Sequence, residues 1–520
     1  MGGMQMQVIL RRFFIVILCG AAFAHAHGEV PNQMNWTRVR GPDGSGVALD
    51  CAPPVALSGT NPAWKVAIPS GLSSPVTFGD RIFLTAVDGK RLVTLAFDRA
   101  SGAQLWRVEA PEVPFEEVHE ASSPAASTPL VDAERLFVYF GSFGLLCYNH
   151  TGQELWKKPI ETPKSLYGMS TSPIEYKDTV ILVLDNEADL PDSKLSQSRM
   201  VAFKKSTGEL AWETPRPFHR SGWSTPMIWS HAEGKDMVVL GNGRASGYDP
   251  DTGEEKWFAT GFSRETIALP IAGSEHVYFC SAQLGGGADE LPDPGPFWTA
   301  LLQFDENGDG KIARSEMTGH FTFPLRPELP LGHPGYGIPM PSDPQKRSER
   351  LDGMLGWIDK DKDGQWSKDE WVEHMSSRKG QPILMAIRPG GKGDVTDTHV
   401  VWEARRNIPE IPSPLYHQNR IYLVRNGGLL AAVDATDGST VYRERLGGTT
   451  GQYSASPVLA GGHLYLVSNS GLVSVVKAGD AYELVDQFDL SEPAFVTPAI
   501  DTSTIYFRSA GHLWAFRSGK

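Results

Sequence analysis

The chain of 520 residues carries 48 Lys and Arg against 61 Asp and Glu, a formal net charge of -13. That balance excludes nucleic acid as a partner, because phosphate backbones demand a surplus of basic residues; it suits hard cations and basic partners instead. The length allows roughly two to four ordinary domains or one large repeat architecture.

The first predicted element is an export signal. Arg11 and Arg12 precede an apolar run, Phe13 to Ala24, that ends in small residues, with Ala22 and Ala24 spaced like an A-x-A cleavage site. The run is too short to span a bilayer. Residues 1–24 are therefore expected to be a signal peptide, leaving an exported chain, periplasmic or secreted, with no transmembrane segment. Arg11-Arg12 followed by Phe14 partly matches a twin-arginine signal, and Leu18 is a poor residue to precede a lipidated Cys19. Cys51, Cys147 and Cys280 remain, too widely spaced for a zinc, thioredoxin-like or haem-attachment motif. Cys147 and Cys280 fall in apolar strand patterns, where a buried thiol is expected, although one disulfide stays open.

From Ser73 onward one phrase recurs: small or hydroxyl residues and a proline, a turn, then an apolar strand. The copies are "SSPVTFGDRIFLTA", "STPLVDAERLFVYF", "TSPIEYKDTVILVL", "STPMIWSHAEGKDMVVL", "ALPIAGSEHVYFC", "PSPLYHQNRIYLV", "ASPVLAGGHLYLV" and "VTPAIDTSTIYF", eight in all. A second phrase follows most of them, as in "LAFDRASGAQLW" ending at Trp106 and its counterparts ending at Trp156, Trp212 and Trp257. It codes a strand, a tight turn closed by glycine (Gly102, Gly152, Gly208, Gly253) and an outer strand ending in a large aromatic. The sixth copy keeps the turn but ends in Tyr442; the seventh loses the signature. Four strands in roughly 40 to 50 residues is the arithmetic of a propeller blade, and blades must stack in a ring to bury both faces. The last copy stops at "HLWAFRSGK" without an outer strand, while "NPAWKVAIP" offers Trp64 without inner strands. The amino-terminal strand is thus expected to complete the eighth blade and close the ring, leaving no open edge.

On these residues the sequence resembles the pyrroloquinoline-quinone-like eight-bladed propellers, which include quinoprotein alcohol dehydrogenases and the propeller lipoprotein of the bacterial outer-membrane β-barrel assembly machine. The resemblance rests on the recurring D-x-x-T-G-x-x-x-W pattern and covers nearly all of the chain beyond the signal outside residues 289–379. The opening "NWTRVRGPDGSGVA" from Asn35 is also similar to the start of exported members without an assigned role. For quinone-using members the resemblance implies an adjacent cysteine pair, a calcium held in the funnel and an Asp base. This chain has no Cys-Cys and no C-x-x-C-H, so pyrroloquinoline quinone is not expected as a cofactor, and the tryptophans are expected to wedge between blades. There is no G-x-S-x-G, H-E-x-x-H or phosphate-binding glycine loop, and no catalytic residue is assigned. His119, His219 and His417 are read as satisfied loop or core residues.

In such a blade the loops between second and third strands emerge on the same face as the blade-to-blade links. Blade three inserts Asp185 to Gln197 there, and the link after blade one, from Pro111, adds Glu112, Glu116, Glu117 and Glu120. That face is where a protein or small-molecule ligand is expected. Blade five is interrupted after "VYFCSAQ" and resumes at "PILMAIRP". The expected layout is therefore propeller over 25–288, an α-helical insertion over 289–379, and propeller again over 380–520.

Within the insertion, "FDENGDGKIARSEM" reads as a helix–loop–helix calcium site, or EF-hand. Such a loop needs oxygen ligands at positions 1, 3, 5, 7 and 12, with Gly at 6. Asp305, Asn307, Asp309, the Lys311 carbonyl and Glu316 fill them around Gly310, with water expected at Ala313. A second loop supplies Asp359, Asp361, Asp363, the Gln365 carbonyl, Ser367 through water, and Glu370 around Gly364. Ile312 and Trp366, at the eighth positions, are expected to pair as a short antiparallel contact, with Phe297, Leu301, Phe304 and Trp371 burying helix faces. Two Ca²⁺ ions are the expected cofactors. The reading that emerges is an exported calcium-binding propeller acting as a non-catalytic binding or assembly scaffold; a quinone-dependent oxidoreductase, or a hydrolase or lyase with its site in the funnel, is the alternative.

Overall fold

Each copy of the first phrase opens an innermost strand. In the computed structural model these strands begin eight sheets, the blades of an eight-bladed β-propeller. The structure describes residue 2 and residues 34–519, apart from 60, 166, 187–196, 220–221, 242, 264–265, 283–293, 319, 325–326, 328, 333–335, 377–381 and 448–450. Met34–Lys520 forms one compact unit and Met1–Gln33 another. The expected signal peptide, residues 1–24, lies outside the described residues except for Gly2, as do most of the blade-three insertion and both ends of the blade-five insertion. No helix among the described residues is long and apolar enough to cross a membrane.

Blade one shows why the pattern folds this way. Its second and third strands, Arg81–Asp88 and Arg91–Asp98, are apolar on both faces because a neighbouring sheet covers each side, whereas the outermost strand, Gln104–Glu109, alternates toward solvent. Side chains of adjacent blades make the core between them, as Val76, Phe83 and Ala96 of blade one do with Leu136, Val138 and Leu146 of blade two. Cys51, Cys147 and Cys280 are buried free thiols.

Trp64–Ala67 pairs antiparallel with His512–Arg517, Trp64 opposite Ala515, so the first outer strand completes the last blade as expected. A buried ion pair, Arg99 to Asp501 at 2.9 Å, fastens blade one to blade eight alongside it. The tryptophans dock blade to blade. Trp64, Trp106, Trp156, Trp212 and Trp402 each cover the turn glycine of the following blade (Gly102, Gly152, Gly208, Gly253, Gly438), where a Cβ would enter the indole. The indole N–H of Trp106 donates to the His150 carbonyl at 2.9 Å, that of Trp156 to Lys205 at 3.0 Å and that of Trp402 to Ala435 at 3.1 Å. Trp257 departs from this scheme: its N–H turns inside its own blade to Asp236 at 2.8 Å. The next blade's corresponding turn, "RPGGKGDVTDTHV", lacks the repeat's form.

Residues 34–48 take a course that the repeats do not announce. Thr77 and Val131, on the innermost strands of blades one and two, donate their backbone N–H groups to Trp36 and Thr37 at 2.8 Å each. Val47–Ala48 then runs parallel to the innermost strand of blade seven, Val458–Ala460, as a fifth strand. The segment therefore crosses the central channel and satisfies strand edges that face it, with Trp36 wholly buried.

The blade-five strands Val277–Ser281 and Ile383–Ile387 are paired neighbours, so the chain between them leaves and re-enters the sheet at one edge. Its described residues include three α-helices, α1 (Pro294–Leu301), α2 (Pro344–Ile358) and α3 (Lys368–Ser376). Asp343 caps α2 by accepting the Lys346 N–H at 2.9 Å. Trp298, Leu301, Ile312, Leu351, Trp366 and Trp371 belong to a core cluster of their own.

Candidate functional site

The residue before each repeat proline faces the channel, because proline holds its predecessor extended and brings the same position of every blade to the axis. Ser74, Thr128, Ser172, Thr225, Leu269, Ser413, Ser456 and Thr497, one per blade, line a cavity of about 440 Å³. The backbone N–H of Ser74 donates to the Thr128 hydroxyl at 2.9 Å, Thr128 to Ser172 at 3.0 Å and Ser172 to Thr225 at 2.9 Å. Leu269 donates to Ser413 at 2.9 Å, Ser413 to Ser456 at 2.9 Å and Ser456 to Thr497 at 3.0 Å. These hydroxyls thus stitch blade to blade. The signal for them was in the repeat itself, as its hydroxyl position, but their convergence belongs to the ring.

The blade-to-blade links that carry the acidic elaborations also border the cavity. The link after blade one contributes His119, whose ring lies 4.7 Å from Tyr167, and Tyr167 meets Trp223 edge-on at 5.2 Å. His119 Nδ1 accepts the Ala121 N–H at 3.1 Å. His219 is buried, and burial holds its ring well below the usual imidazole range. His417 is lowered by burial as well. Glu112, Glu117 and Glu120 are exposed, as an acidic surface requires. Asp185, first residue of the blade-three insertion, is instead buried in a two-pronged pair with Arg216 at 2.9 and 3.2 Å. It anchors the loop and adds nothing to the surface charge.

Glu116 turns inward. Its Oε2 accepts the Met169 N–H at 3.0 Å, while buried Oε1 has no partner among the described residues. Gly141 leaves the room, since a Cβ there would collide with that oxygen. Burial pushes the carboxyl from 4.5 up to about 7. Between those values the native chain holds a proton that the unfolded chain has lost, so stability falls as pH rises through this window. Glu116→Gln, neutral throughout, is expected to stabilise the protein by on the order of 2–3 kcal/mol at about pH 8 and to change little at about pH 4. Denaturant titrations at both pH values check this; equal effects at both would remove the assignment.

The insertion holds the second cluster. Asp305 accepts the N–H groups of Gly308 and Gly310 at 2.7 and 2.8 Å, Asn307 that of Asp309 at 2.7 Å, and Asp309 that of Lys311 at 2.8 Å. Glu316 reaches back to the N–H groups of Glu306 and Ala313 at 3.0 and 2.8 Å. The second loop repeats this, with Asp359 on Gly364 at 2.9 Å, Asp361 on Asp363 at 3.0 Å and Asp363 on Gln365 at 2.9 Å. Glu370 accepts from the Lys360 N–H at 2.7 Å and the Ser367 hydroxyl at 2.8 Å. Carboxylate oxygens of Asp359, Asp361 and Asp363 lie within 4.8 Å of one another. Ile312 pairs with Trp366, and Ala313 with Gln365, in the short antiparallel contact the spacing predicts. An all-oxygen donor set of this kind suits a hard divalent cation. One difference stands out: Arg314 to Glu316 form a turn, and Met317 and Thr318 follow without regular structure, where the helix–loop–helix reading places an exiting helix. Thr318, Gly319 and Thr322 are weak helix formers and Pro324 removes a donor, so nothing local sustains a helix there. Buried Trp298, which the pattern did not single out, adds to Leu301 and Phe304.

The profile of the family described as outer membrane protein assembly factor BamB matches residues 55–170, 93–283 and 392–519. No curated protein matches the chain. Among solved structures, quinohemoprotein alcohol dehydrogenase ADHIIG from Pseudomonas putida HK5 is 10% identical, covers 94% of this chain and 81% of its own, and superposes with a TM-score of 0.51. The computationally designed Ika8 protein is 10% identical over 87% of this chain and 98% of its own, with a TM-score of 0.50. BamB from Moraxella catarrhalis is 9% identical over 88% and 97%, with a TM-score of 0.49. At such identities the first two likenesses show the fold alone.

Proposed function

The chain belongs to the family described as outer membrane protein assembly factor BamB, and from that premise we propose that it is an exported, calcium-binding propeller whose role is to bind or assemble partners without catalysing a reaction. What supports binding over catalysis is the chemistry of the funnel: seven of the eight ring positions are hydroxyls, and those of Thr128, Ser172, Thr225, Ser413, Ser456 and Thr497 accept backbone N–H groups that join blade to blade. A nucleophile in such a position would need a base aimed at it; the lining among the described residues holds no carboxylate, and its imidazole, His119, accepts the Ala121 N–H through Nδ1. Calcium would be held by Asp305, Asn307, Asp309, the Lys311 carbonyl and Glu316, and by Asp359, Asp361, Asp363, the Gln365 carbonyl, Ser367 and Glu370. Extracellular calcium is plentiful, so its role there is structural.

Dye-linked assays with added pyrroloquinoline quinone, calcium and primary alcohols are expected to show no turnover above a heat-killed control. Robust dye reduction would overturn the scaffold reading in favour of a quinone-dependent oxidoreductase.

A further inference from the structure

The funnel's floor carries a charge that no carboxylate among the described residues pairs with. Val39 and Arg40, from the segment crossing the channel, line the cavity beneath the hydroxyl ring. Arg40 is 1% exposed. Its Nη2 donates to the carbonyls of Ser45 and Pro414 at 2.8 and 2.7 Å, while its Nε and Nη1 have no partner among the described residues. Pro414 directly follows the ring residue Ser413, so the guanidinium sits just below the ring. No carboxylate among the described residues forms an ion pair with it; burial lowers the guanidinium to about 9, which leaves it charged at neutral pH, and nearby Asp43 is engaged with the Ser45 N–H and hydroxyl at 2.9 and 2.7 Å. Arg508, also buried, backs the ring at Ser73 and, among the described residues, bonds only carbonyls and the Ser73 hydroxyl.

A guanidinium keeps its proton, so an uncompensated one in a low-dielectric wall projects a positive potential into the space beside it. The ring hydroxyls add to this. Each one that accepts a backbone N–H still has its O–H to donate, and that proton is free to turn toward the cavity. Beyond the ring the lining includes an apolar set, Leu72, Ile267, Ile411 and Val496, with the exposed ring of Phe495. In a chain of net charge -13, a cavity lined without a single Asp or Glu among the described residues is a local reversal of sign.

We infer that the funnel is a binding site for a small organic carboxylate, its anionic head over the Arg40 floor and hydroxyl ring and its compact apolar body against the Leu, Ile and Phe wall. The cavity of about 440 Å³ falls in the range of small-molecule sites. The site is independent of the acidic loops and of the scaffold reading.

Isothermal titration of the full exported chain in calcium, using benzoate, benzyl alcohol and inorganic phosphate as probes, tests it. Benzoate is expected to bind at one site, at least about tenfold more tightly than benzyl alcohol, because only the anion answers the buried cation. Arg40→Gln is expected to remove that preference while leaving the weak binding of benzyl alcohol in place. Should that variant not fold, Ile411→Trp decides the matter: it fills the cavity from its wall, and is expected to abolish the benzoate heat at an unchanged melting temperature. Three results would overturn the assignment: no benzoate heat at millimolar concentration, equal affinity for benzoate and benzyl alcohol, or benzoate binding undiminished in Ile411→Trp. Phosphate binding as tightly as benzoate would overturn the apolar half of it.

Discussion

Trp64→Ala is expected to destabilise the whole propeller by about 3–5 kcal/mol, the magnitude of truncating a large buried aromatic. The effect is global because Trp64 sits where the ring closes. It is 8% exposed, covers Gly102 of blade one and donates its indole N–H to the Arg99 carbonyl at 3.3 Å. Its strand pairs with the chain's last strand. Beside it Lys65 bridges to Glu492 at 3.1 Å and lies 3.8 Å above the Trp514 ring, a partly exposed pair that contributes little by itself. Removing the indole opens a cavity between first and last blades, and a ring with one weak seam unfolds from that seam. Denaturant unfolding checks this. A variant with wild-type stability would mean that the Arg99–Asp501 pair and the strand pairing close the ring unaided.

Calcium removal is expected to loosen the insertion and spare the propeller. Titration after chelation is expected to show one site per loop, and Glu316→Gln combined with Glu370→Gln to abolish both, since each glutamate stands at the twelfth position, where calcium loops carry their bidentate ligand. Without the ion, the carboxylates of Asp359, Asp361 and Asp363, within 4.8 Å of one another, repel. The Lys311 ammonium, 3.0 Å from Asp363, offsets little of this because both groups are well exposed. The insertion's apolar cluster is its own, so the loosening has no direct route into the blade cores. Hydrogen exchange is expected to accelerate across 294–376 while the propeller strands keep their protection. A protein that takes up no calcium at millimolar concentration would remove this proposal.

The propeller was legible because its information is local. Each blade is a run of strands adjacent in the chain, so one phrase, repeated eight times, declares the sheet, and a turn glycine followed four residues later by tryptophan declares the docking of blade on blade. The missing last strand and the orphan Trp64 declared the closure in the same terms. The acidic loops were legible for a related reason: their donor positions all fall within twelve residues of one another, and the pairing of Ile312 with Trp366 follows from the same spacing. Sequence by itself therefore determined the eight-bladed ring, its seam and the composition of both loops.

Only the tertiary structure decided what stands at the axis. The Arg40 bond to Pro414 spans 374 residues, and no periodicity carries information across that distance. The channel-crossing course of 34–48 depends on innermost strand edges that exist only once the ring has closed. Glu116, Glu117 and Glu120 look alike in sequence, yet one is turned inward and its carboxyl is pushed up to about 7, because a glycine at 141 in the next blade leaves it space. The hydroxyls of the repeat phrase read as marks of a turn along the chain. They become a ring only because eight similar strands point at one axis, which is a property of the closed assembly of blades and of no single one.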